Sequence, residues 1–115
     1  MDQEGMLALC AGMEGAQEAH PFGPYPICFR AGGRIFAQVY PDKVTLRCDR
    51  AMAERWRAEY PGVVVRGYHC PPAQAPYFNT IPLAGVEDRL LCEMAIHAHQ
   101  TVLFLARKKA PQRRA

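Results

Sequence analysis

The chain has 115 residues, half of them hydrophobic and 22% charged, which suits one ordinary globular domain and is far from disordered composition. No run approaches the roughly 18 apolar residues of a membrane span, and the acidic start Met1-Asp2-Gln3-Glu4 lacks the basic leader of a secretory signal, so the expected compartment is the cytoplasm. The formal charge of +3 divides unevenly: residues 107–115, RKKAPQRRA, carry five cations and no acid, which leaves residues 1–106 at −2. The positive total therefore belongs to a tail and does not by itself argue for nucleic acid. One domain over 1–106 and a basic, disordered tail over 107–115 are expected.

Residues 2 to about 16 read as a first helix, with Met6, Leu9, Cys10 and Met13 on one stripe and Gly12 and Gly15 weakening its end. The prolines of His20-Pro21-Phe22-Gly23-Pro24-Tyr25-Pro26 force a stiff, non-helical entry loop. Ile27–Arg30 and Arg34–Tyr40 then flank Ala31-Gly32-Gly33, a hairpin signal. Lys43–Cys48 alternates polar and apolar, as a strand with one buried face does.

Asp49 is a good N-cap for a helix reaching Tyr60, with Met52, Trp56 and Tyr60 on its buried side, and Pro61-Gly62 stops it. Val63–Tyr68 reads as a fourth strand. A proline-rich stretch, residues 70–76, precedes a fifth, Tyr77–Leu83, in which Pro82 suggests an edge or a bulge. The last helix runs from about Val86 to Ala106, with a stripe at Val86, Leu90, Met94, Thr101 and Leu105 that Leu91, Ala98 and Val102 widen. The order α-β-β-β-α-β-β-α implies an α+β two-layer sandwich, with helices on one face of a mostly antiparallel sheet.

Chemistry-bearing patterns are few. The five cysteines, at gaps of 18, 20, 22 and 22, form no close pair of the kind zinc sites use, and they read as reduced, buried thiols. There is no serine nucleophile, and Gly32-Gly33 opens no helix, so it is not a phosphate-binding loop. His97 and His99 point about 200° apart on a helix, which rules out chelation of one metal; His97 fits the edge of the buried stripe and His99 fits solvent. No enzyme activity, metal or cofactor is expected.

The ordered series His20-Pro21-Phe22-Gly23, Phe29–Ala37, Val44–Asp49, Glu59–Val63, Tyr68-His69 and Asn79-Thr80-Ile81 resembles the MmcQ/YjbR family over roughly residues 5–105. The resemblance implies a layout similar to the secretion-chaperone-like and frataxin-like folds. It also implies the DNA-binding label that family members carry by structural analogy. The chain departs from the family pattern in three places, one being Phe78 where the family usually has tryptophan. Tyr68-His69 is followed by Cys70-Pro71-Pro72 in place of a lysine-bearing loop, and His97-Ala98-His99 lacks the hydroxyls of the family's his-ser-tyr.

Strand alternation nominates the sheet face away from the helices. Val44, Leu46 and Cys48 face inward, with Lys43, Thr45 and Arg47 outward. In the second strand Ile35, Ala37 and Val39 are expected inward and Arg34, Phe36, Gln38 and Tyr40 outward. In the fourth, Val63 and Val65 are expected inward, with Val64, Arg66 and Tyr68 outward. Arg30, Arg34, Phe36, Tyr40, Lys43, Arg47 and Arg66 would then interleave cations with aromatic platforms, joined by Tyr68 and Phe78, the pattern that DNA or single-stranded nucleic acid needs. The alternative is a non-enzymatic module that takes a protein, peptide or small ligand on the same face, with no membrane partner. Tyr68, His69, Asn79 and Thr80 form a family-matched polar cluster that either lines a small pocket or satisfies backbone groups of the proline-rich loop.

Overall fold

The computed structural model describes residues 1–67 and 69–109. The chain runs α1 (Gln3–Ala11), β1 (Gln17–Ala19), β2 (Ile27–Ala31), β3 (Arg34–Val39) and β4 (Lys43–Arg47). Next come α2 (Arg50–Glu59), β5 (Val65–Arg66), a 3-10 turn at Ala75–Tyr77, β6 (Phe78–Pro82) and α3 (Asp88–Lys109). The strands form one antiparallel sheet in the order β1-β2-β3-β4-β6-β5. The helices cover one face, so the fold is the expected two-layer α+β sandwich. Among the described residues no helix is long and apolar enough to cross a membrane.

The core forms where period-2 and period-3.6 patterns meet. Val44 and Leu46 of β4 and Ile81 of β6 face α3, which buries Leu91, Met94, Ala95, Ala98 and Val102. Burying side chains of this size stabilises by about 1.5–3 kcal/mol each before chain entropy is subtracted. Asp49 caps α2 as expected, its Oδ2 accepting the Met52 N–H at 3.2 Å. Trp56 is buried, whereas Tyr60 ends the helix exposed and Ala53 takes its place against the sheet.

Four expectations about the elements are corrected. The first helix ends at Ala11, because Gly12 takes the cap and donates its N–H to the Ala8 carbonyl. The chain then adds β1, whose Gln17 and Glu18 pair with Arg30 and Phe29. Three residues are too few to show alternation, so this strand left no periodic signal.

Val63 and Val64 still donate their amides to the Tyr60 carbonyl, which delays the next strand to Val65–Arg66 and inverts its faces. Val64 is buried while Val63 and Val65 are exposed, opposite to expectation. Strand β6 lies inside the sheet, between β4 and β5. Pro82 is tolerated there because it sits at the strand end, beyond the residues that pair with β5. Helix α3 continues to Lys109, taking in the start of the expected tail, while residues 110–115 lie outside the described residues.

Both helical histidines are structural. His99, expected in solvent, is buried; its Nε2 donates to the Glu14 carbonyl at 2.7 Å, and its ring meets Phe36 edge-on at 5.3 Å. His97 lies edge-on to Trp56 at 5.1 Å, and its Nε2 accepts the Asp49 N–H at 3.0 Å. Burial lowers the His97 pKa, and the Asp49 charge opposes that only in part. An imidazolium could not accept the Asp49 N–H, so protonation costs the join between α3 and the start of α2.

The folded state therefore binds fewer protons than the unfolded chain once pH falls below the unfolded value near ~6.5, and stability drops from there down to the lowered folded value. A urea midpoint should fall between about pH 7.5 and about pH 5.5. His97→Gln should shrink that fall to the part that His69, also lowered by burial, contributes.

Candidate functional site

Cross-strand partners share a face, and the register assigns each candidate accordingly. The face away from the helices carries a row Cys28–Gln38–Thr45–Thr80–Val65. Arg30 opposite Ile35, and Arg47 opposite Phe78, form a second row beside it. The central row is itself covered: Cys28 and Thr45 are fully buried, and the Thr45 and Thr80 hydroxyls hydrogen-bond at 2.8 Å. Residues of the proline-rich loop flank Gln38 on both sides, Cys70 and Pro71 lining one depression with it and Gln74 another. The expected continuous face is therefore divided.

One side is cationic. Arg30, Arg34 and Arg47 line a depression of about 310 Å³ with Ile35, Gln38, Gln74 and Phe78, and no carboxylate contributes to its lining. The Arg47 guanidinium lies 4.6 Å from the Tyr77 ring centroid and 6.0 Å from that of Phe78, and donates to the Cys48 carbonyl. Burial lowers its pKa, and the Arg34 charge adds to the lowering, yet a guanidinium stays protonated at any physiological pH. Phe78 is only 9% exposed, so Arg47 rather than a base already occupies the aromatic surface here. This side can pair with anions, and the outer plane of Arg47 is the stacking surface it offers.

The other side holds Tyr40 and Lys43. The Lys43 Nζ sits 4.9 Å from the Tyr40 ring centroid, and the His69 ring meets Tyr40 edge-on at 5.7 Å. His69 Nε2 is 3.3 Å from Gln38 Oε1, and these groups with Phe22, Pro26 and Cys70 line a pocket of about 280 Å³.

Two candidates are not where alternation put them. Phe36 is fully buried on the helix side, because β3 carries a bulge: Phe29 pairs with Ala37 but Arg30 pairs with Ile35, leaving Phe36 as the extra residue. Ile35 takes the outward position instead. Arg66 pairs with Asn79, whose side chain meets α2, so Arg66 leaves the cationic face. The polar cluster also separates. Asn79 points to α2, where its Oδ1 accepts from Arg57 at 2.6 Å and its Nδ2 donates to the Ala53 carbonyl at 3.2 Å. Thr80 points to the opposite face, and Tyr68 lies outside the described residues. His69 thus reaches the Gln38 side chain, while Asn79 holds a helix carbonyl and the Arg57 guanidinium. The bulge and the delayed start of β5 are tertiary features with no local signal in composition.

Burial raises the thiols of Cys10 and Cys48 to about 12 and pushes those of Cys28 and Cys70 upward, so at neutral pH these four stay protonated. Among the described residues no group of three or more His, Cys, Asp or Glu is placed to hold a metal ion.

The YjbR family model matches residues 11–101. The chain belongs to the YjbR family. No curated protein matches the chain. Among solved structures, the Deinococcus radiodurans protein DR2400, described as carrying the DUF419 domain, is similar with a TM-score of 0.73 and 23% identity, over 96% of this chain and 81% of its own. A Pseudomonas syringae protein is similar with a TM-score of 0.70 and 13% identity, over 89% of this chain and 99% of its own. At these identities the two share the fold. All three arginines of the cationic depression fall within the span matched to the YjbR family, and the last two turns of α3 fall beyond it.

Proposed function

We propose that this YjbR-family protein binds nucleic acid through the phosphate backbone, on the depression lined by Arg30, Arg34 and Arg47. The observation that carries the reading is the convergence of three guanidinium groups on one surface whose lining contains no carboxylate. Like charges brought together cost free energy in the isolated protein, and an anion that bridges them recovers it. Guanidinium forks suit phosphate oxygens, and the burial of Phe78 leaves little for base-edge discrimination, so the reading is a backbone binder of weak sequence preference. The rival, a protein or peptide docked on the same face through Phe36, Tyr40 and Phe78, keeps the half-buried Tyr40 but loses Phe36 and Phe78, which are both buried.

Three phosphate contacts on a single strand give a salt slope of roughly −2, so affinity for a labelled oligonucleotide should fall about 20-fold between about 50 and 200 mM salt. Anisotropy titrations check this. Binding that ignores salt, or no binding at the lower salt, would sink the reading.

A further inference from the structure

A second cleft, on the helix side of Arg47, is absorbed by neither the fold nor the sheet-face reading. It has a volume of about 390 Å³ and lies where the end of β4, the start of α2, the residue before β6 and the last turns of α3 converge. That volume is within the range of sites that enclose a small ligand. Three cations reach it: Arg47 and Arg50 from below and Lys108 from α3. Its one carboxylate, Asp49, is already engaged as the α2 cap. Arg50 shares part of its charge with Glu54 at 3.2 Å, whereas among the described residues neither Arg47 nor Lys108 has a carboxylate partner.

The cleft also presents a planar apolar surface. Phe104 is 55% exposed, so a face of its ring is open to the cleft. Gln100, Phe104 and Lys108 follow one another at four-residue spacing, so α3 aligns an amide, an aromatic ring and an ammonium along one face. Across from them, Tyr77 is held beneath the Arg47 guanidinium. A bare inorganic anion would use the cations and leave Phe104 and Gln100 idle. A neutral aromatic would leave the cations unpaired.

From this juxtaposition we infer that the cleft between the α2 N-terminus and the last turns of α3 binds a nucleoside monophosphate, with phosphate on Arg47, Arg50 and Lys108, the base against Phe104 and its edge on Gln100. Each part uses a separate chemistry: charge-assisted hydrogen bonds for phosphate, a ring face for the base and an exposed amide for its polar edge. The site is independent of the sheet-face reading except for Arg47, which lines both depressions.

The test is a set of NMR titrations of the full-length, ¹⁵N-labelled chain with AMP, UMP, adenosine and inorganic phosphate. AMP should shift Gln100, Thr101 and Phe104, with weaker binding by adenosine and by phosphate. Phe104→Ala should weaken AMP about tenfold, the scale of one lost stacking contact, and Lys108→Gln about fivefold at low salt. Arg30→Gln, outside the cleft, should leave AMP unchanged while weakening an oligonucleotide, so the two readings fail separately. Phe104 is exposed enough for its variants to fold, and Phe104→Leu provides a second, milder truncation of the ring. The inference is overturned if millimolar AMP leaves the α3 residues unshifted. It is equally overturned if phosphate matches AMP and neither Phe104 variant changes the affinity.

Discussion

Replacing Phe36 with alanine is expected to destabilise the domain by about 3–5 kcal/mol, the range for truncating a buried phenylalanine. The ring is fully buried against Phe29, at 6.5 Å between centroids, and against the edge of His99. Its loss would leave a cavity between β3 and α3 and remove a ring contact from His99, whose imidazole ties α3 to the Glu14 carbonyl. Sequence alternation alone placed Phe36 outward, among the ligand platforms. An exposed platform would cost under about 0.5 kcal/mol on truncation and would weaken ligand binding instead. Denaturant unfolding of Phe36→Ala separates these outcomes. A loss below about 1 kcal/mol would return the ring to the open face.

The double substitution Arg34→Gln with Arg47→Gln should reduce oligonucleotide affinity about 100-fold at low salt, with the salt slope falling from roughly −2 to about −0.7. The two side chains line one depression, and the Arg34 charge already acts on Arg47, so neutralising both removes two of the three proposed phosphate contacts. Stability should change far less than affinity, because glutamine retains most of each stem. Arg47 does lose its position over Tyr77, so unfolding curves belong beside the binding curves. Lys43→Gln, on the other side of the covered central row, should have a smaller effect. Equal losses from Lys43→Gln and from the double variant would mean that the site does not divide as described.

Much of the fold was legible because local and tertiary preferences agree along most of the chain. In β4, strict alternation correctly separates Val44, Leu46 and Cys48 from Lys43, Thr45 and Arg47. Asp49 announces α2, and apolar periodicity announces α3. Legibility failed where one residue changes a count. The bulge at Phe36 exchanges the faces of Ile35 and Phe36, and the carbonyl of Tyr60, still bonded to Val63 and Val64, inverts β5 and removes Arg66 from the face. The burial of His99 was equally hidden, since its partner Glu14 lies 85 residues away. Of the candidate site, the sharing of a face by Arg30 and Arg47 could be read from alternation, whereas Arg34, paired with the buried Ala31, reaches the same depression from the hairpin end. The loop that flanks Gln38, dividing the three arginines from Tyr40 and Lys43, could not be read, because a proline-rich segment carries no periodicity to say where it lies.

The most direct test of the sheet-face account is an amide shift map of the full chain titrated with a short single-stranded oligonucleotide. The account predicts that the largest changes gather on Arg30, Arg34, Ile35, Arg47 and Phe78, around the cationic depression. Changes confined to residues 110–115, or none on β2, β3 and β4, would contradict it.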